Sequence, residues 1–156
     1  MAKTRATVAL EQGGVAFTIH TYAYDPEAAS IGLAAAQALG VDPVVMLKTL
    51  MVLVDGKPAL AITSSDRELS LKKVAAALGG RAAAMAPVAG AQRSSGYKVG
   101  GGSPFGQTKR LAVALAADAA AQPLIYLNGG QRGVQVRLDP REAVRVLGAV
   151  VAEIGA

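Results

Sequence analysis

The most apolar run in the chain, Val44 to Val54, reads V-V-M-L-K-T-L-M-V-L-V and closes on Asp55-Gly56. A β-branched, leucine-rich run ending in Asp-Gly predicts a central strand entering a tight hairpin turn, with Ala59–Thr63 as its antiparallel partner. Side chains alternate across a strand, so Lys48 shares a face with Leu50, Val52 and Val54. An ammonium buried there without a partner would be strongly disfavoured. Two readings follow. Either the stem lies on apolar surface while the head reaches water, or Lys48 reaches a cleft where an anionic ligand supplies the partner.

The flanking pattern is a mixture of short helices and strands. Thr4 to Gln12 predicts a helix stopped by Gly13-Gly14. Val15 to Tyr22 alternates, with Val15, Phe17 and Ile19 on one face and Thr18, His20 and Tyr22 on the other. A strand-end histidine beside a tyrosine suits a hydrogen-bonded structural pair better than a catalytic one. Ser30 caps a predicted helix to Leu39 with Gly40 after it, and Asp42-Pro43 opens one helical turn ahead of the lysine strand. Ser70 caps a helix whose Leu71, Val74, Ala75 and Leu78 form one apolar stripe before Gly79-Gly80. A short strand at Ala82–Met85 and a helical turn after Pro87 follow. Leu111–Ala116 fits a helix by its alanines and a strand by its position between breakers. Leu124–Leu127 and Val134–Leu138 predict a hairpin around Asn128-Gly129-Gly130. Asp139-Pro140 opens a helix with Glu142 in its first turn and Gly148 at its end, and Val150–Ile154 is a short final strand. The lack of regular βαβ alternation argues against a doubly wound fold.

Composition narrows the chemistry. With 156 residues the expectation is one domain with a proper core, and no apolar run reaches the roughly 20 residues that span a bilayer. The start, M-A-K-T-R, lacks the apolar region of a secretory signal, so a cytoplasmic protein without membrane contact is expected. Cysteine is absent and His20 is the only histidine, which excludes a cysteine nucleophile and a Cys/His zinc site. No cofactor and no metal are expected.

The net charge of +5 is concentrated. From Leu69 to Ala117 no acidic residue occurs, while Lys72, Lys73, Arg81, Arg93, Lys98, Lys109 and Arg110 give that segment +7. The remainder carries nine basic against eleven acidic residues. Such a one-signed stretch suits an anionic partner, RNA first and an anionic metabolite next, or else a solubilising basic face. Inside it, Ser94 to Arg110 reads S-S-G-Y-K-V-G-G-G-S-P-F-G-Q-T-K-R. Consecutive glycines let backbone N–H groups turn toward negative charge. Gly106 falls one residue late for a dinucleotide fingerprint, and Gln107-Thr108 replace the Lys-Ser/Thr of a Walker loop.

Several stretches occur together in a familiar order: H-T-Y-x-x-D-P at His20–Pro26, V-x-K-T-L-like sequence around Lys48 and L-x-L-K-K-V-A-x-A-L-G at Leu69–Gly79. They continue with A-Q-R-S-S-G-Y-x-V-G-G at Ala91–Gly101, S-P-F-G-Q-x-K-R at Ser103–Arg110 and I-Y-x-x-G-G-x-R-G at Ile125–Gly133. Nearly the whole chain therefore resembles the YbaK-like family of free-standing aminoacyl-tRNA deacylases, related to the editing domain of bacterial prolyl-tRNA synthetase. The resemblance implies a compact single-domain α/β (α+β) fold over residues 1–156, with a mixed, barrel-like β-sheet flanked by helices. It also implies clearing of tRNA(Pro) mischarged with a small amino acid, cysteine above all. The acceptor end of tRNA(Pro) is then the partner, with prolyl-tRNA synthetase as a second one.

By resemblance Lys48 is the critical lysine, Gly100 and Pro104 belong to a G-x-x-x-P loop, and Tyr22 is a pocket tyrosine. Two positions depart from the pattern: Asn128 stands where serine is usual, and Ile31 where some members carry an aromatic. The expected site thus combines Lys48, Gly100 and Gly101 for catalysis with Tyr22, Ile31, Gly102, Ser103, Pro104, Asn128 and Gly129 for the substrate. Lys72, Lys73, Arg93, Lys98, Lys109 and Arg110 would hold the acceptor stem by its phosphates. Backbone N–H groups around Gly100–Gly102 would stabilise the tetrahedral oxyanion, and Lys48 would anchor the terminal phosphate or ribose or polarise the carbonyl. The nucleophile is the substrate's own thiol or a water. The alternatives are a deacylase specific for alanine or another small amino acid, a non-catalytic tRNA-binding adaptor recruited to a synthetase, and a hydrolase of a small anionic ester unrelated to tRNA. Low aromatic content argues against a binder that stacks single-stranded bases.

Overall fold

Asp55 and Gly56 both stand at positive φ, 49° and 79°, the backbone that a two-residue primed turn requires. Aspartate also suits this position because its carboxylate accepts the backbone N–H groups of Arg81 and Ala82. The turn joins β2 (Leu47–Val54) to β3 (Lys57–Ser64), paired antiparallel from Leu47↔Ser64 to Val54↔Lys57. The lysine strand is therefore the centre of a hairpin, as its pattern predicts. It begins three residues late because Val44 and Val45 belong to a turn, where their N–H groups bond to Asp42.

The computed structural model describes residues 3–87, 97 and 102–156. The other elements are α1 (Arg5–Gln12), β1 (Phe17–Thr21), α2 (Ile31–Leu39), α3 (Leu71–Ala77), β4 (Ala83–Met85), β5 (Ala112–Ala116), α4 (Ala117–Ala120), β6 (Ile125–Asn128), β7 (Val134–Leu138), α5 (Pro140–Leu147) and β8 (Val150–Ala152). The helical turn expected after Pro87 lies outside the described residues.

The strands form a five-stranded sheet, β4-β2-β3-β5-β8, and a three-stranded sheet, β1-β7-β6. The larger sheet is mixed, since β5 runs parallel to both β3 and β8 while β2 is antiparallel to β3 and β4. The sheets meet at one seam, where a parallel bridge joins Met46 to Tyr126 and the Tyr126 N–H donates to Val45 O at 2.8 Å. The barrel-like sheet is thus two sheets linked at a seam, and no closed barrel forms among the described residues.

The ambiguous segment Leu111–Ala116 divides between both readings. Ala112–Ala116 is a strand flanked by parallel neighbours, and the helix of alanines starts immediately after it at Ala117. Val113 to Ala116 are all buried, so tertiary pairing overrides the weak strand preference of alanine. The main core unites Val52, Ile62, Leu115, Leu127, Val136 and Phe105. A second, smaller cluster lies under α2 and joins Ala35, Ala36, Met46 and Tyr126, with Tyr22 packed against it. No described helix is long and apolar enough to cross a membrane.

Candidate active site

Register places Lys48. The seam runs β2 and β6 in the same direction through Met46 and Tyr126. The next positions on the same face are therefore Lys48 and Asn128. Asn128 pairs with Gln135, and Gln135 with His20, so these three also share that face of the small sheet. Tyr22 follows His20 by two residues, and its N–H donates to Gly133 O at 3.0 Å. The start of α2 closes the other side: Gly32 lies so near Ser65 that a Cβ there would sit 2.6 Å from the Ser65 Cβ. Ser65 in turn donates through Oγ to Met46 O at 2.7 Å. Lys48, Tyr22 and Asn128 thereby share one sheet face, and α2, which begins at Ile31, packs beside it through Gly32.

Lys48 is half-buried, and among the described residues its ammonium has no hydrogen-bond or ion-pair partner. The stem thus lies on the sheet, as the first reading of the sequence expects. Asn128 is half-buried, and its Oδ1 accepts the Gly130 N–H at 2.7 Å. That bond shapes the Asn128-Gly129-Gly130 turn.

One polar side chain on this face was not foreseen. Gln135 is 5% exposed, and its Oε1 finds no hydrogen-bond partner among the described residues. Thr49 Oγ1 is also buried without one, on the opposite face of β2 from Lys48. Burial pushes the pKa of the Tyr22 hydroxyl above the usual tyrosine value, outweighing the Gln135 side chain beside it, which draws the pKa down, so it remains a donor. Orphaned buried polar atoms are disfavoured in a finished core. In V-Q-V-R-L the alternation marks Gln135 as solvent-facing; its pairing with Asn128 is the signal that could have found it. His20 does not pair with Tyr22 as expected. It is hydrogen-bonded to Thr18 Oγ1 at 2.8 Å, and its ring meets Tyr126 edge-on at 5.2 Å. Burial first, and then Arg137, hold its pKa below the ordinary histidine value.

The glycine loop is described from Gly102 onward, and Gly100, Gly101, Arg93 and Lys98 lie outside the described residues. Ser103 and Pro104 are buried, and Ser103 Oγ accepts the Phe105 N–H at 3.2 Å. Gly106 adopts φ 67° against the backbone of Arg5. Tyr97 donates through its hydroxyl to Phe105 O, and the Arg5 guanidinium lies 4.5 Å above its ring. The other side of the loop borders a cleft of about 210 Å³ between α1 and α5, with Pro104, Lys109 and Arg110 on its wall.

The basic residues are not equivalent. Lys72, Lys109 and Arg110 are exposed, with no ion-pair partner among the described residues. Lys73 instead donates to Glu153 at 3.1 Å and to Gly155 O at 2.9 Å, so its charge is partly satisfied within the chain.

Residues 25–146 match the model of the aminoacyl-tRNA editing domain. The chain is 32% identical over 154 residues to EbsC of Enterococcus faecalis, a protein named for Cys-tRNA(Pro)/Cys-tRNA(Cys) deacylation; the match covers 97% of this chain and 93% of that one. A crystal structure described as a trans-editing enzyme for prolyl-tRNA synthetase superposes with a TM-score of 0.82 at 25% identity, covering 97% and 95% of the two chains. The protein APE2540 shares the fold, with a TM-score of 0.86 at 22% identity over 97% of this chain and 99% of its own. Family match and near-full-length kinship agree: the chain belongs to the aminoacyl-tRNA editing domain family.

Proposed function

We propose that residues 1–156 act as one editing unit that clears tRNA(Pro) mischarged with a small amino acid, cysteine first. Membership of the family makes the chain an aminoacyl-tRNA deacylase, a hydrolase of the aminoacyl ester bond. The observation that carries the finer reading is the partnerless Lys48 ammonium, set on one sheet face with Tyr22, Asn128 and Gln135.

Proline and cysteine differ by little more than a methylene's worth of pocket contact, about 1–3 kcal/mol, so a synthetase cannot reject the error in one step. A second pocket can. Lys48 holds the terminal phosphate or ribose, or polarises the ester carbonyl. Loop N–H groups at Gly100–Gly102 stabilise the oxyanion. With a cysteinyl ester, the substrate's thiolate attacks its own carbonyl carbon, the C–O bond breaks, and the ribose oxygen leaves with a proton. Water then opens the four-membered thioester to free cysteine. An alanyl ester has no such route and depends on direct attack by water.

The decisive assay measures deacylation of Cys-, Ala-, Ser- and Pro-tRNA(Pro) by the purified protein. Cleavage of Cys-tRNA(Pro) with sparing of Pro-tRNA(Pro) is expected. Turnover of none with binding retained would favour the adaptor.

Two further outcomes follow. With exposed lysines and arginines at 72, 109 and 110 and few aromatics, RNA affinity should fall on the order of 100-fold between about 50 and 200 mM salt, as for about four phosphate contacts. Charge reversal at Lys72 or Lys109 should weaken every tRNA alike and lower the salt slope, and reversal at Lys73 should do less because Glu153 already engages it. A flat salt response rejects this surface. Asn128→Ser should leave melting unchanged, since a serine hydroxyl can also accept the Gly130 N–H. It should alter the ratio of cysteinyl to alanyl cleavage; an unchanged ratio places Asn128 outside the pocket.

A further inference from the structure

The two glycine-bearing segments of the proposed site, the Gly102–Gln107 loop and the Asn128–Gly130 turn, are far apart in sequence. Both pack on the first residues of α1. Thr4 Oγ1 donates to Gly129 O at 2.5 Å. A Cβ at Gly130 would lie 3.1 Å from Thr4 Oγ1 and from the Ala6 Cβ. A Cβ at Gly106 would lie 2.6 Å from the carbonyl carbon and oxygen of Arg5. Arg5 also covers Tyr97, whose hydroxyl holds Phe105 O.

Thr4 performs two separable tasks. Its Oγ1 lone pair accepts the Thr7 N–H at 3.1 Å and caps α1, while its single proton goes to Gly129 O. The cap alone requires only an acceptor. The bond to Gly129 is an additional tie to the turn that presents Asn128.

We infer that Thr4 is a positioning residue for substrate selection: through Gly129 it fixes the Asn128 turn relative to the glycine loop, which Arg5 holds from the same helix start. This rests on the site reading given above. Residues 4–6 lie outside the family-model match, which begins at residue 25, and outside the motifs quoted from the sequence.

Thr4→Asp separates the two tasks. A carboxylate caps a helix at least as well as threonine, but when ionised it only accepts hydrogen bonds, so it repels the Gly129 carbonyl. The expected result is melting lowered by a few degrees, as for loss of one hydrogen bond with the cap retained, and a change of about tenfold or more in the cysteinyl-to-alanyl kcat/KM ratio, as misplacement of positioning groups produces. Thr4→Ser, which retains both donor and acceptor, should restore parental selectivity. Thr4→Gly, a tolerable cap without a hydroxyl or a charge, should reproduce the altered ratio if the aspartate variant folds poorly. An unchanged ratio in Thr4→Asp or Thr4→Gly overturns the inference. If Asn128→Ser still shifts the ratio in that case, only the positioning by Thr4 falls. If Asn128→Ser is silent as well, the site reading falls with it.

Discussion

Lys48→Ala is expected to lower deacylation about 100-fold or more while melting within about 2 °C of the parent. The two halves of this outcome come from the same observation. The Lys48 side chain is half-buried on a strand, yet its ammonium binds nothing among the described residues. Removing an unpaired charge takes no hydrogen bond from the fold, and such substitutions stay within about 0.5 kcal/mol. Under the proposed mechanism the same ammonium would face the substrate's developing negative charge, where one well-placed group is worth about 3–4 kcal/mol. Lys48→Arg should rescue poorly, because a planar guanidinium does not reproduce a compact ammonium. An alanine variant that melts several degrees lower yet turns over normally would make Lys48 structural.

Gly106→Ala should be the most damaging small substitution in the glycine loop. The residue is held at φ 67°, and an added Cβ would stand 2.6 Å from the backbone of Arg5. The left-handed backbone alone costs about 1–2 kcal/mol for alanine; the collision forces the loop away from α1 in addition. Gly14→Ala is the natural control, with φ 69° and nothing within 4 Å of its Cβ. At about 2–4 °C per kcal/mol for a chain of this size, Gly14→Ala should melt a few degrees low with full activity. Gly106→Ala should melt lower still and, if the loop contacts the ester as proposed, lose deacylation about tenfold or more. Thermal unfolding and single-turnover rates check both. Equal melting points would mean that the loop yields to the methyl group.

Local chemistry made much of the fold readable. Ser30, Ser70 and Asp139 each accept a backbone N–H from two or three residues ahead, as their positions before apolar stripes imply. Asp55-Gly56 turns as its residues require. What stayed hidden depends on partners distant in sequence. Alanine carries little periodic signal, so Leu111–Ala116 could not be assigned until β3 and β8 were seen on its two sides. Gln135 alternates like a solvent residue, but the face it occupies lies beside α2 and the seam to β2. Thr4 reads as a cap and is one; that its proton crosses to Gly129 follows only from the packing of α1. The two sheets resisted the barrel expectation because one bridge at Met46 and Tyr126 cannot be distinguished in sequence from a continuous ladder.

The parallel pairing of β5 with β8 also has a kinetic side. Leu69 bridges Gly155, the Ser70 N–H donates to Ile154 O at 2.8 Å, and Ala156 N–H donates to Glu68 O at 2.9 Å. Each of these bonds closes a long loop whose entropy must be lost before any contact repays it. Such high contact order slows folding. Until residues 150–156 have been synthesised, Leu115 and the start of α3 lack their final neighbours, and nascent chains expose an unpaired strand edge at β5. Chains that end before Val150 should therefore aggregate more readily than the whole chain, because Val150–Ala152 are the residues that pair with β5 and cover that edge.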